Sequence, residues 1–338
     1  MIETVRKLVE IYGPSGHEDK IRAVIQVDIE NLADEIRVDA LGNLIATLKG
    51  DGSGRRVMLA AHMDEIGVIV THVDKKGFLR FGPVGGVSPT LCIGNRVKFA
   101  NGTMGVIGVE KRDNLKSVPT FEQLYIDVGA KDRESCPVRV GSMAGFDRAF
   151  VAQGNRVHQR WTAKSMDDRI GCAILIEAMR AIKEQQRALP HTVHFVFSVQ
   201  EEVGVRGATT AAFGLKPEIG IAVDVTPTGD TPKPRPMAVS LGAGPAIKVK
   251  DTGMISHPGL VDLMIQRAEA AGIPYQLEVL VGGTTDACAM QLTHTGVIAG
   301  CISIPCRYVH TVSETVDADD ALNAVKLLLA CLKGPLDL

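Results

Sequence analysis

The sequence has no large excess of charge of either sign. Its 338 residues include 37 Lys and Arg residues against 39 Asp and Glu residues, which gives a formal net charge of -2. Nucleic acids and anionic membrane surfaces are bound through an excess of basic side chains. The charge balance supports neither of these partners, so we expect the protein to bind no nucleic acid and no membrane.

The sequence also lacks an apolar run that could span a bilayer, which takes about 20 residues. Its first residues, MIETVRKLVEIYG, do not contain the apolar core of a signal peptide. The seven cysteines are odd in number and include no CxxC pair. Because disulfides form mainly in oxidising compartments, we expect reduced cysteines and a cytoplasmic protein.

Apolar residues are plentiful, at 45% of the sequence, and a chain of 338 residues is expected to form two domains. Strand-like and helix-like segments alternate in residues 1–69 and again in residues 162–338. Residues 70–161 instead contain short alternating runs broken by glycines, which is typical of a small barrel or sandwich. The pattern predicts an α/β domain that is interrupted by a β-rich insertion.

Capping signals mark two predicted helix starts. Residues 15–18, Ser-Gly-His-Glu, have the spacing of a capping box, in which a Ser and a Glu three residues later bond each other's backbone. This motif predicts that a helix begins there and continues to about Leu32. The glycine-rich residues 281–286 are interpreted as a tight turn with a helix N-cap rather than as an anion site.

Potential metal ligands occur in five separate stretches at the ends of predicted strands or helices. They are His62 with Asp64, Asp167 with Asp168, Glu201 with Glu202, Asp224, and His310. Ligands of an open α/β sheet gather beyond the carboxyl ends of its strands. The set combines imidazole and carboxylate without thiolate, which suits Zn²⁺, Co²⁺ or Mn²⁺, and it is large enough for two metal ions.

Two such ions can share a water molecule, lower its pKa and polarise a scissile carbonyl group. One carboxylate must then bridge the ions, and another must accept the proton of the water. Neighbouring side chains of a strand point to opposite faces, so we expect one of Glu201 and Glu202 to be a ligand and the other the base. Asp64 can orient the second nitrogen of His62.

The remaining histidines lie in predicted loops or on strand faces, and we interpret them as structural. They are His17, His72, His158, His191, His194, His257 and His294.

The chain resembles the dinuclear metallo-aminopeptidases of metallopeptidase family forty-two. This group includes glutamyl and deblocking aminopeptidases that form tetrahedral shells, and some members carry endoglucanase names. The likeness covers nearly the whole chain, and the order and spacing of the motifs match. The motifs are Pro14-Ser15-Gly16-His17-Glu18, Ala61-His62-Met63-Asp64-Glu65-Ile66-Gly67, Ser165-Met166-Asp167-Asp168-Arg169, Gln200-Glu201-Glu202-Val203-Gly204-Val205-Arg206-Gly207, Ala222-Val223-Asp224-Val225 and Ile304-Pro305-Cys306-Arg307-Tyr308-Val309-His310-Thr311.

The resemblance implies a role for each candidate residue. Asp167 would bridge two divalent ions, zinc or cobalt in preference to manganese. His62 and Asp224 would complete one ion, and Glu202 and His310 the other. Glu201 would be the general base and Asp64 would orient His62, while Asp168 would be only a neighbour.

The resemblance also implies an architecture. It implies a mixed-sheet α/β/α catalytic domain, formed by residues 1–69 and 162–338, with an inserted small β-barrel-like domain. That insertion, residues 70–161, would be the dimerisation domain from which a homo-oligomeric shell of twelve subunits is built.

Three functions remain open from the sequence. The first is an aminopeptidase that acts on peptide substrates, and the second is a deacylase or amidohydrolase that acts on small N-acyl compounds with the same metal site. The third is a catalytically silent shell-forming protein, against which the intact ligand set argues. Thr284 stands where the family commonly has Gly before Thr-Asp-Ala, a difference that concerns the substrate pocket. The preferred N-terminal residue is not predicted.

Overall fold

The computed structural model of the chain describes residues 1–111, 114, 117–155, 159–185, 189–336 and 338. Within these residues the helices are α1 Ile2–Val9, α2 Asp19–Ile29, α3 Pro89–Cys92, α4 Met166–Glu184, α5 Arg206–Leu215, α6 Pro258–Ala270, α7 Asp286–Gln291 and α8 Ala318–Leu332. The strands are β1 Glu35–Val38, β2 Leu44–Leu48, β3 Arg56–His62, β4 Gly67–Val73, β5 Leu79–Val84, β6 Arg96–Phe99, β7 Met104–Val109, β8 Leu124–Asp127, β9 Met143–Phe146, β10 Val151–Gly154, β11 Gln159–Ala163, β12 Thr192–Ser198, β13 Ile219–Thr226, β14 Ala246–Lys250, β15 Gln276–Val279, β16 Ile298–Arg307 and β17 Glu314–Asp317.

Eleven of these strands form one mixed sheet in the order β1-β2-β12-β3-β13-β16-β17-β11-β10, in which β14 also pairs with β16 and β15 pairs with β14. The four central strands β12, β3, β13 and β16 are parallel. The flanking pairs β1–β2, β16–β17 and β10–β11 are antiparallel. All four central strands therefore end at the same edge of the sheet.

Helices cover both faces of this sheet, because successive side chains of a central strand point to opposite sides. Val57, Leu59 and Ala61 of β3 pack in the core formed with α1, α2, α4, α6 and α8. Met58 and Ala60 of the same strand pack in a smaller core with α5 and α7. The predicted α/β/α architecture is confirmed.

A closed barrel of six strands is inserted in the chain between β3 and β10, two strands of the large sheet. Its strands follow the order β4-β5-β8-β7-β6-β9 and enclose their own apolar core, in which Val68, Phe81, Val97 and Ile126 are buried. This confirms the predicted β-barrel-like insertion. Strands β10 and β11 follow the barrel in the chain and pair at the edge of the large sheet. The domain boundaries at residues 69/70 and 161/162 stay a prediction.

The predicted capping box at residues 15–18 is wrong. Helix α2 begins at Asp19 and has no side-chain hydrogen bond at its N-cap. Ser15 Oγ instead donates to Asp64 Oδ2 at 2.6 Å, and Glu18 Oε1 accepts from the backbone N–H of Gln200 at 3.1 Å. Partners distant in sequence therefore displace the local pairing that the spacing indicates.

The predicted N-cap before α7 is confirmed, since Thr285 Oγ1 accepts from the backbone N–H of Ala287 at 3.3 Å. None of the helices in the described part of the chain combines the length and apolar character that crossing a bilayer requires.

A buried ion pair joins β14 to β15. Lys248 Nζ lies 2.5 Å from Glu278 Oε1, and both side chains are fully buried. Lys248→Met leaves the Glu278 carboxylate unpaired in the interior, so we expect the free energy of unfolding to fall by about 3–5 kcal/mol in urea denaturation. The control Lys250→Met removes an exposed lysine of the same strand and is expected to change it by less than about 0.5 kcal/mol. Equal losses in the two variants would contradict the pairing.

Candidate functional site

The parallel strands bring four of the five predicted stretches to one edge of the sheet. His62 is the last residue of β3, and Asp224 lies near the end of β13. Glu201 and Glu202 follow β12, and His310 follows β16. The fifth stretch, Asp167, enters from the first turn of α4. The backbone of Asp167 and Asp168 is not helical there, and the peptide bond between them is cis.

The carboxylate of Asp167 lies between two imidazoles. His62 Nε2 is 2.9 Å from Asp167 Oδ1, and His310 Nε2 is 3.4 Å from Asp167 Oδ2. Each oxygen of this carboxylate therefore faces a different histidine. Such an arrangement places Asp167 at the centre of the cluster and divides the other side chains into two groups, one on each side of it.

Asp224 and Glu201 lie on the side of His62, each with a carboxylate oxygen 3.9 Å from its Nε2. Glu202 lies on the side of His310, with Oε2 3.1 Å from Nε2. The two adjacent glutamates thus face different histidines, which agrees with the expectation that they differ in role.

Asp64 holds the backbone of both glutamates. Its Oδ1 accepts from the N–H of Glu201 at 2.9 Å, and its Oδ2 accepts from the N–H of Glu202 at 3.2 Å. His62 Nδ1 is nearer to the backbone carbonyl oxygen of Asp64, at 3.1 Å, than to its carboxylate, at 3.5 Å. Asp64 therefore contacts His62 through two groups and positions the loop that carries Glu201.

Asp168 ties the end of β3 to the start of α4. Its Oδ2 accepts from the backbone N–H of His62 at 3.2 Å, and its Oδ1 accepts from that of Gly171 at 3.1 Å. One oxygen also lies close enough to His62 and Asp224 to form a possible ligand group with them. Both of its oxygens already have backbone donors, which favours a structural part.

Sequence reasoning missed Glu314, a buried residue at the start of β17. Its Oε1 accepts from the backbone N–H of His310 at 2.8 Å, and its Oε2 accepts from that of Asp167 at 3.0 Å. One carboxylate therefore holds two residues of the cluster that are far apart in the chain. Its position four residues after His310 was the available signal.

Glu18 was also missed as a supporting residue, because its spacing indicated a cap. Its Oε1 accepts from the N–H groups of Gly16 at 2.7 Å and of Gln200 at 3.1 Å. Gln200 has a φ of 55°, an unusual value for a residue with a side chain. Glu18 therefore holds the strained residue that precedes the glutamate pair.

Three of the other histidines interpreted as structural make contacts away from the cluster. His191 faces the carbonyl oxygen of Gly334 at 2.8 Å, His194 faces Thr47 Oγ1 at 3.0 Å, and His294 stacks on Phe213. His158 lies outside the described residues.

The cluster holds more negative than positive charge. Burial is the main cause that raises the pKa of Glu201 and Asp224 well above the usual carboxyl range, and it raises the pKa of Glu202 as well. Burial would also raise the pKa of Asp167, but the hydrogen bonds with His310 and His62 outweigh it and hold that pKa below its usual value. For both histidines burial lowers the pKa, and the carboxylate contacts reverse this and raise it.

These features fit a site for divalent cations. No Lys or Arg among the described residues forms a salt bridge with Asp167, Glu201, Glu202 or Asp224, so two imidazoles are the only basic side chains paired with them there. Within the same residues, Glu202 Oε1 is buried without a hydrogen-bond partner. His62, Asp167 and Glu202 each offer a ligand atom within 4.8 Å of the others. Carboxylate and imidazole ligands suit zinc and related metals.

A cavity of about 710 Å³ opens beside the cluster. Asp167, Glu201, Glu202, Asp224 and His310 all contribute to its wall. This volume is in the range of cavities that bind small organic ligands. The candidate ligands therefore face a space that can admit a substrate.

The model of the family described as M42 glutamyl aminopeptidase matches residues 42–327. A protein of Acetivibrio thermocellus, named provisionally as an aminopeptidase, is 48% identical over 98% of both chains.

Two solved structures have the same fold over almost their whole length. A TET aminopeptidase from a marine sediment archaeon of the Thaumarchaeota superposes with a TM-score of 0.95 at 34% identity, covering 100% of this chain and 97% of that one. The TET1 peptidase of Pyrococcus horikoshii, which can assemble into a tetrahedron or a large octahedral shell, superposes with a TM-score of 0.87 at 34% identity, covering 98% of each chain.

The excess of buried carboxylates predicts that a divalent cation stabilises the fold. At a Co²⁺ or Zn²⁺ concentration of about 100 times Kd we expect a gain of about 2.7 kcal/mol, measured as a rise in Tm that EDTA reverses. Asp167→Asn should lose most of this rise. The control Asp262→Asn, at an exposed position of α6, should retain it. If Zn²⁺, Co²⁺ and Mn²⁺ all left the Tm of the wild-type protein unchanged, the proposed site would be contradicted.

Proposed function

This chain belongs to the M42 glutamyl aminopeptidase family and is a hydrolase of the aminopeptidase class, and we propose that it removes N-terminal residues from peptides with two divalent metal ions and a glutamate base. The observation that carries this proposal is the position of Asp167, whose two carboxylate oxygens face His62 and His310 separately. A carboxylate with a different partner at each oxygen is suited to bridging two ions.

The remaining ligands follow from the two sides of Asp167. His62 and Asp224 would complete one ion, and Glu202 and His310 the other. Glu202 Oε1 has no hydrogen-bond partner among the described residues, so this oxygen is free to bind the ion on the side of His310. We propose two ions per subunit, zinc or cobalt in preference to manganese. Carboxylate and imidazole ligands suit all three metals, and the order among them follows the resemblance to the family.

When bound, such ions lower the pKa of a shared water molecule and polarise the scissile carbonyl group. Glu201 is proposed to accept the proton of that water at a carboxylate oxygen and to pass it to the leaving amine. Its position supports this role, since Glu201 borders the cavity and lies on the side of His62, apart from the proposed ligand Glu202.

Asp64 and Glu18 are proposed to position the base rather than to react. Asp64 fixes the N–H groups of Glu201 and Glu202, and Glu18 fixes that of Gln200. Three consecutive backbone N–H groups therefore have buried carboxylate acceptors. This support limits the movement of the Glu201 side chain relative to the metal ligands.

Relatives with this fold form large shells, as the TET1 peptidase of Pyrococcus horikoshii does. We propose that this chain forms a homo-oligomer of twelve subunits built from dimers. Residues 70–161, which include most of the closed barrel, would form the dimer contact. The two chain segments on either side would then form the catalytic domain.

Glu201→Gln tests the base. The amide cannot accept the proton, so we expect kcat for aminoacyl-anilides to fall by about 10²–10⁴-fold while the number of metal ions bound per subunit is unchanged. Turnover and metal content are measured on the same sample. The control Glu184→Gln makes the same change at the exposed end of α4 and should retain full activity.

A Glu201→Gln enzyme that keeps most of its activity would overturn the base assignment.

A panel of substrates separates the aminopeptidase from the deacylase. It contains free peptides, aminoacyl-anilides and N-acylated counterparts of the same residues. Cleavage of the N-acylated compounds alone would reject the aminopeptidase.

The assembly is tested by light scattering coupled to size-exclusion chromatography. We expect the mass of twelve 36.1 kDa chains in the metal-loaded protein. A monomer with full activity would overturn the proposed shell.

A further inference from the structure

The cavity beside the metal ligands has two kinds of wall. One part consists of the carboxylates and His310. Much of the rest is aliphatic and comes from the segment after β13, from a loop and from the end of β15. These residues are Pro227, Pro236, Met237, Val279, Leu280 and Val281. A substrate bound at the metal ligands therefore also meets an apolar surface.

Charged side chains are scarce on that surface. Among the described residues that line the cavity, the carboxylates are those of the candidate site: Asp167, Glu201, Glu202 and Asp224. Arg235 is the one basic side chain of this lining apart from His310. Arg235 is exposed to solvent. An exposed guanidinium forms only weak ion pairs, because water screens them.

When a peptide is bound, its α-amino group is the partner of the carboxylates of the cluster. The α-amino group of a peptide is positively charged or metal-bound, and Glu201 and its neighbours are the acids that border the cavity. A lysine or arginine side chain placed against the aliphatic wall would find no second acid there. It would lose hydration without an ion pair in return.

From this wall, and resting on the proposed aminopeptidase function, we propose that the enzyme selects peptides with an aliphatic N-terminal residue, leucine or methionine. The side chain of that residue would pack against Met237, Leu280 and the neighbouring apolar residues. Burying it against them provides a selectivity of about 10–100-fold over a residue with a charged side chain.

The test compares kcat/KM of the metal-loaded enzyme for the anilides of Leu, Met, Ala, Lys and Glu. We expect Leu or Met to exceed both Lys and Glu by at least about 10-fold. A higher value for Lys or Glu overturns the aliphatic preference and leaves the aminopeptidase standing. Hydrolysis of none of the five would instead reject the proposed function.

The Leu280→Glu variant places a carboxylate in the apolar wall. We expect the ratio of kcat/KM for Leu-anilide to that for Lys-anilide to fall by at least about 10-fold, because the new carboxylate can pair with the lysine ammonium and disrupts the apolar contact with leucine. The matched control Leu322→Glu changes an exposed leucine of α8, which is 41% exposed, and should leave the ratio unchanged. The same ratio in both variants would show that this wall does not contact the side chain.

The Arg235→Gln variant tests whether the enzyme instead prefers an acidic N-terminal residue in its substrate. If Glu-anilide were the best substrate and lost its advantage in this variant, Arg235 would be the specificity residue and our proposal would be wrong. We expect the order of the five anilides in Arg235→Gln to match that of the wild-type enzyme.

Discussion

The contact of Asp167 with two imidazoles is the interaction on which the site depends. Carboxyl groups buried close together repel one another, and their cost falls only where positive charge or N–H groups reach them. His62 and His310 supply the imidazoles, and Glu314 holds the backbone of Asp167 and of His310. The fold brings these residues together at the ends of its central parallel strands.

The same constraint explains the second layer of acids. Asp64 and Glu18 are buried, and their carboxylates accept backbone N–H groups of the loop that follows β12. Hydrogen bonds of this kind partly offset the cost of burying a charge. They also use that charge to fix a loop that no regular secondary structure holds. The acidic shell around the cluster therefore stabilises a backbone shape as well as an electrostatic environment.

Much of this arrangement could be predicted from the sequence. Apolar runs that end in His62, Glu201 and His310 indicate strand ends, and parallel strands end at one edge of a sheet. The inserted barrel was predictable because helical periodicity disappears from residues 70–161. The pairing of strands was less accessible, because periodicity describes one strand at a time and not the strand that lies beside it.

The supporting contacts could not be predicted for a different reason. Glu18 lies 182 residues before Gln200, whose N–H it accepts, and the local pattern of residues 15–18 indicated a cap instead. A short motif reports only on neighbours in sequence. Long-range hydrogen bonds decide between competing local pairings, and they exist only once the sheet has formed.

The barrel borders the site through two glycines that follow β5. A Cβ atom at Gly86 would lie 2.3 Å from His310 Nδ1, and one at Gly85, where φ is +76°, would lie 3.0 Å from Glu202 Oε2. Backbone atoms of the insertion therefore fill space against both side chains. The insertion is consequently not an exchangeable attachment: a shorter chain without it would open one wall of the cavity to water. Any domain that replaced the insertion would need glycines at the positions that contact His310 and Glu202.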